Sequence, residues 1–181
     1  MKRLVLAFVL CLLLGGCSPA GVDPSAIAEY YASLEETELE AAVSTASGPM
    51  IEFELRVNRS DGEDLVTILA PEGVAGITAR IGKDRTALEY QGAVAETLLP
   101  GVPGFTPCDA VTGLLDDLAR EVPASATLCR TEAGEAVQLC YTRRLSDGST
   151  AEKLVWLAPD LRLQRAEFFL SGQLVMTLRS K

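Results

Sequence analysis

The chain has 181 residues, with 16 basic and 25 acidic side chains, a formal net charge of −9 and no histidine. An acidic body is repelled by nucleic acid and by anionic head groups. Without histidine there is no Ser-His-Asp or Cys-His nucleophile pair, no histidine-ligated zinc and no ordinary proton shuttle at neutral pH.

The first segment reads as an export device. Lys2 and Arg3 precede an unbroken apolar run from Leu4 to Leu14, in the order of an export signal and too short for the ~20 residues that span a bilayer. Leu14, Gly15, Gly16 and Cys17 then have the pattern of a bacterial lipobox, in which small residues admit the peptidase and the cysteine thiol takes a diacylglycerol. The other reading of these residues is an ordinary signal or an anchor helix with an incidental cysteine. A diacylglyceryl group supplies the two chains that stable tethering needs. The expected organisation is therefore a lipoprotein signal over 1–16, a lipidated Cys17 with a short tether over 17–23, and one domain over 24–181. Removing the signal leaves 14 basic and 25 acidic residues, so attachment has to come from lipid rather than from basic patches. No D-x-D-x-D-G calcium loop accompanies the acid excess, which predicts a solvated acidic surface.

Past the tether, which spans at most about 20 Å when extended, Asp23 and Pro24 provide an N-cap and a first-turn proline. Ile27, Tyr30, Tyr31 and Leu34 recur at helical spacing, so a short amphipathic helix opens the domain. "LEAAVST" suits a continued helix or a first strand, and Gly48 and Pro49 favour the strand. From Met50 the period changes to two. Ile51, Phe53, Leu55 and Val57 face one way and Glu52, Glu54 and Arg56 the other, the mark of a half-buried antiparallel strand. Asp61 and Gly62 turn the chain into "DLVTILA"; "AGITARIG", "TALEYQ" and "AVAETLL" continue a meander. "LLPGVPGF" interrupts it with a loop whose Leu98, Leu99, Val102 and Phe105 either close over a cavity or pin the connection to the core.

A second helix is expected from "TPCDAVTGLLDDLAREV". Thr106 is placed as its cap, Pro107 at the first helical position and Asp109 as the reach-back residue of a capping box. Val111, Leu114, Leu115, Leu118 and Val122 form its apolar face, and Asp116 and Asp117 are expected on a solvated one. "SATLCRT" and "AVQLCYTRR" then flank a turn near Gly134. Pairing Ala133 with Ala136 would set Cys129 opposite Cys140, too far apart for easy bridging with a two-residue loop and closer with a four-residue loop. Free thiols are the expectation, since nothing else resembles a stapled scaffold. Turns at Asp147-Gly148 and Ser171-Gly172 separate "STAEKLVWLA", "LQRAEFFL" and "QLVMTLR". Regular short strands with turn signals argue an α+β domain built on one large, curling antiparallel sheet.

The run "ILAPEGVAGITARIGKDRTALEY", then "TPCDAVTGLLDDL" and "VWLAPDLRLQRAEFFLSGQLVMTL", resembles the LolA/LolB-like lipoprotein-carrier superfamily, and within it the lipid-anchored Gram-positive branch that includes a spore-germination lipoprotein. The resemblance covers most of residues 37–180. It implies a curved, unclosed antiparallel half-barrel with helices covering the concave face and acyl chains held between them. The anchor at Cys17 departs from the soluble carriers and excludes a free shuttle.

Two functions follow as expectations. One is a membrane-anchored extracytoplasmic bacterial lipoprotein, without catalytic activity, metal or cofactor, that binds an acyl chain or lipidated protein in a half-barrel cavity. Its candidate walls are Ile51, Phe53, Leu55, Ile77, Ile81, Leu114, Leu118, Trp156 and Phe168; taken singly, each suits a filled core position first, and the cavity rests on the resemblance. The other is a non-catalytic interaction lipoprotein that docks or regulates a cell-envelope or cell-wall enzyme through Phe169, beside Phe168, or through an open edge strand.

Overall fold

The computed structural model describes residues 22–34, 37–46, 48–60, 62–82, 85–97 and 102–181; the export segment, Cys17, Asp61, Leu98 and Leu99 lie outside the described residues. Helix α1, Pro24–Ala32, leads into the meander β1 (Thr37–Thr45), β2 (Glu52–Ser60), β3 (Glu63–Ala70), β4 (Thr78–Ile81), β5 (Thr86–Tyr90) and β6 (Ala93–Thr97). Helix α2, Ala110–Arg120, precedes a second meander: β7 (Ser125–Thr131), β8 (Gly134–Arg144), β9 (Thr150–Leu157), β10 (Leu163–Leu170) and β11 (Gln173–Ser180). "LEAAVST" is therefore strand. All eleven strands form one antiparallel sheet in the order β6-β5-β4-β3-β2-β1-β11-β10-β9-β8-β7. The two meanders join where β1 pairs with β11, with Val43 opposite Leu178. The sheet stays open, with β6 and β7 as its edges. This is the α+β class expected: an open antiparallel sheet with both helices packed on one face.

The alternation of apolar residues selects that face. Leu55, Val57, Val66, Leu139, Val155 and Phe168 are buried against Val111, Leu114, Leu115 and Leu118 of α2 and Ile27 and Tyr31 of α1. Each such side chain contributes about 1.5–3 kcal/mol relative to exposure. Register shifts between Glu54 and Leu55 and between Phe168 and Phe169 mark bulges, which bend the strands that carry them.

Two helix boundaries have clear local causes. Asp23 accepts a hydrogen bond from the Ser25 N–H at 2.9 Å, with Pro24 behind it in the first turn. Helix α2 begins at Ala110 rather than at Pro107. The Asp109 carboxylate does reach back to the Thr106 N–H at 2.8 Å, but the backbone at Asp109 (φ −116°, ψ 1°) is not yet helical, so 106–109 forms a separate turn. At the other end Glu121 is extended. Pro123 disfavours helix at the residue before it, and Val122, expected on the apolar face, is 86% exposed.

The β7–β8 hairpin corrects the register discussed above. Thr131 pairs with Gly134 across a two-residue turn, which sets Cys129 opposite Ala136 and Cys140 opposite Ser125. The Thr131 hydroxyl accepts from the Ala133 N–H and donates to the Gly134 carbonyl, and that side-chain clamp holds the tight turn. Cys108, Cys129 and Cys140 are free thiols.

Candidate functional site

The helices are fastened to the sheet by charge as well as by apolar contact. Lys153 continues the inward phase of β9 between Ala151 and Val155, and its ammonium donates to Asp117 of α2 at 2.6 Å. Arg59 and Asp64 continue the inward phases of β2 and β3 and face each other across the hairpin. The Arg59 guanidinium donates to both Asp64 oxygens at 2.8 and 2.9 Å and to Asp116 at 3.2 Å. Asp64 and Asp116 hold it as a cation, raising its pKa above the ordinary arginine value, the Asp64 hydrogen bonds foremost. Asp117 is therefore not on a solvated face, while Asp116 pairs with Arg59 and stays half exposed. Adjacent on α2 and about 100° apart, they reach two different cations.

Between these clamps the 102–109 segment lies directly on α2. A Cβ on Gly113 would stand 2.8 Å from the Gly104 Cα, and one on Gly104 would stand 2.7 Å from the Lys153 Nζ; Gly104 also has φ +77°. The Asp109 carboxylate accepts from the Gly104 N–H at 2.8 Å, closing the loop on itself. Phe105 then meets Phe168 edge-on with centroids 5.5 Å apart, and the Lys153 ammonium sits 5.4 and 5.6 Å from the two ring centres.

Two spaces remain. A cleft of about 880 Å³ opens between α1, α2 and β2–β4; Tyr31, Leu34, Ile81 and Ala119 supply apolar wall, and Arg59, Asp64, Asp116 and Arg120 supply charge. The Tyr31 hydroxyl donates to the Leu161 carbonyl at 2.7 Å. Burial, followed by the neighbouring Tyr30, Tyr141 and Asp160, pushes its pKa above the ordinary tyrosine value. On the other side of α2 is a pocket of about 60 Å³ beside Phe105, Tyr141, Arg143 and Lys153. Desolvation, with Asp117 and Glu121 behind it, raises the Tyr141 pKa.

The expected wall residues separate into four positions. Leu55, Leu114, Leu118 and Phe168 are fully buried and packed together, and Phe53 and Ile77 are half-buried against that core. Ile81 lines the cleft. Ile51 precedes β2 and is 42% exposed. Trp156 points to the opposite face from Val155 and Leu157, with the Arg165 guanidinium 4.8 Å above its ring. The structure thus brings only Ile81 of this set to the open space, and Phe169 is half-buried rather than exposed. Arg59, Asp64 and Lys153 are legible in the sequence as charged residues in inward strand phase; for Tyr31 and Leu34 the sequence shows only a helix stripe.

No family model matches the chain, and no curated protein matches it. Among solved structures, a LolA-superfamily protein from Nitrosomonas europaea is similar at 13% identity and a TM-score of 0.45, over 89% of this chain and 92% of its own. The lipoprotein LppX from Mycobacterium tuberculosis is similar at 17% identity and 0.44, over 88% of this chain and 95% of its own. LprF from Mycobacterium bovis is similar at 12% identity and 0.47, over 87% and 89%.

Proposed function

We propose that the chain is an exported, lipid-anchored binding module of the bacterial envelope that holds the apolar part of an amphiphile in the cleft between α1, α2 and β2–β4. The observation that carries this is the cleft itself. Its volume of about 880 Å³ lies within the range of small-molecule sites, about 300–1,000 Å³. The layer beneath α2 cannot serve, since Leu55, Leu114, Leu118 and Phe168 occupy it. Arg59, Asp64 and Asp116 satisfy one another, so the cleft asks for no particular ion deep inside. Exposed Arg120 has no ion pair among the described residues and is free to meet a polar head at the mouth. Anchorage through Cys17 keeps the module at the extracytoplasmic face of its membrane, in keeping with the lipid-anchored branch of the resemblance, and no catalytic step, metal or cofactor is assigned to it.

Native mass spectrometry of the chain purified from its own membrane in mild detergent tests this. The expected spectrum shows retained amphiphile, lost in Ala119→Trp, which fills the cleft from a half-buried helix position. A ligand-free wild type, or retention that Ala119→Trp leaves unchanged, would refute it. The interaction reading keeps one structural handle, the edge strand β7, which among the described residues pairs only with β8 and to which a partner strand can add. Co-purification of a single envelope protein with no lipid in the spectrum would favour that reading.

A further inference from the structure

The two ends of the sheet differ in chemistry. The turns 46–51, 71–77, 91–92, 145–149 and 171–172 share one end, as antiparallel order requires. The Ala46 N–H donates to the Val175 carbonyl and the Ser171 N–H to the Thr150 carbonyl, so neighbouring turns meet there. Across all five turns the only charged residues are Glu72 and Asp147. At the opposite end the described turn residues include Arg85, Glu132, Asp160 and Arg162.

Exposed apolar side chains follow the same division. Seven large ones are exposed among the described residues; five of them, Met50, Ile51, Tyr90, Val94 and Leu174, are in these turns or within two residues of them, and Val122, beside Glu121 in the connection that enters β7, is at the same end. Only Leu128, within β7, is elsewhere. Met50 is 83% exposed, and its turn is built to project it. The Thr45 hydroxyl accepts from the Ile51 N–H at 3.0 Å and donates to the Pro49 carbonyl at 3.1 Å.

The geometry points to this end of the sheet as a lipid-facing surface that seats the domain on the bilayer. The occupant follows from the chain's own length: the residues between Cys17 and Val22 span under about 20 Å even when extended, so a lipidated Cys17 leaves the body against the membrane. This rests on the anchored reading given above. An end this rich in exposed apolar side chains is the part of a strongly acidic body that approaches lipid at least cost, and the exposed Glu52, Arg143 and Arg144 on the strands beside its turns form a polar rim. Seated so, the domain turns the sheet residues of its cleft, Arg59, Asp64 and Ile81, away from the bilayer, since they lie at the opposite strand ends.

Hydrogen exchange on the full chain as purified from its membrane, in phosphatidylcholine vesicles, tests the orientation. Amides of 46–51 and 171–174 are expected to exchange about tenfold more slowly than in Met50→Asp/Leu174→Asp, while Leu128→Asp behaves as wild type. Slow β9 amides in every variant report an intact fold. The inference is overturned if the double variant leaves exchange unchanged, if the charged turns are the protected ones, or if protection scales with protein-to-lipid ratio, which would assign the surface to a second copy. Intact mass reads the diacylglycerol separately, so a missing anchor and a wrong surface are distinguishable results.

Discussion

Gly113→Ala sets two effects of opposite sign against each other. In an exposed helix interior the change stabilises by about 1 kcal/mol, because glycine has the greater backbone entropy to lose. Here the added methyl would stand 2.8 Å from the Gly104 Cα, well inside the ordinary contact distance between carbons of about 3.5–4.0 Å. The neighbour is backbone, and it cannot swing away. Gly104 is held by the Asp109 carboxylate at 2.8 Å and backed by Lys153. Overpacking costs about 1–3 kcal/mol, and a clash with held backbone belongs in the upper part of that range, about 2–3 kcal/mol, so after the opposing gain of about 1 kcal/mol the net expectation is a destabilisation of about 1–2 kcal/mol. For a chain of this size that lowers the Tm by roughly 2–8 °C, at about 2–4 °C per kcal/mol. Thermal and urea unfolding of the full chain, followed by circular dichroism, provide the assay. A Tm at or above wild type would show that the 102–109 segment does not rest on α2, and the reasoning about both pockets beside it would fail.

Lys153→Ala is expected to destabilise by about 3 kcal/mol, the low end for stranding one partner of a buried pair, because Arg143 stands 3.6 Å from Asp117 and partly compensates it. Lys153→Met/Asp117→Leu, which removes both charges, should recover most of that loss in urea unfolding; a double variant as weak as the single would show that charge is not the cause. Tyr31 supplies a pH effect. Its folded-state pKa lies above the ordinary tyrosine value of 10.0, so the stability it contributes is complete below that pH. As pH rises from there toward the folded value, that stability falls by up to about 1.4 kcal/mol per pH unit. Tyr31→Phe should flatten the alkaline limb of a stability-versus-pH curve, and an unchanged limb would contradict burial of the hydroxyl. For the thiols, Cys129 and Cys140 stand on paired strands four residues out of register, about 13 Å along the strand, beyond the roughly 7 Å Cα limit for a disulfide. Peptide mapping after mild oxidation should show no Cys129–Cys140 bridge within one chain, and finding one would refute the register.

The sheet was legible because its signal is periodic and repeated. Turn pairs such as Asp147-Gly148 and Ser171-Gly172 divide the chain at the observed boundaries, and inward residues such as Val155 and Phe168 recur at every second position. The site was less legible for a related reason. Alternation says which face a residue is on, and it does not say whether a helix fills the space above it. Leu55, Leu114 and Phe168 were rightly placed inward, yet they meet each other rather than a void. Trp156 was expected as a wall, although its position between Val155 and Leu157 puts it on the outer face. Arg59, Asp64 and Lys153 carried the opposite signal, since a charge at an inward position requires a partner. Arg59 and Asp64 partner each other across the β2–β3 hairpin; the further partners, Asp116 for Arg59 and Asp117 for Lys153, come from α2, and only the docking of helix on sheet brings those within reach.

That docking also relates the two proposals. Arg59 and Asp116 join α2 to the strand ends at the cleft, whereas Lys153 and Asp117 join it to the sheet nearer the apolar turns. Helix α2 therefore stands as a partition, with the cleft on one side and the small pocket beside Tyr141 on the other. A domain seated on lipid by Met50 and Leu174 would receive its amphiphile at Tyr31, Leu34 and Ile81 from the aqueous side, not by direct extraction from the bilayer beneath it. The donor would then have to be soluble or to reach across from another surface. Transfer assays with labelled donor vesicles distinguish the routes. Uptake that depends on the distance between donor and acceptor membranes fits this arrangement, and uptake directly from the anchoring bilayer would require the cleft to face the other way.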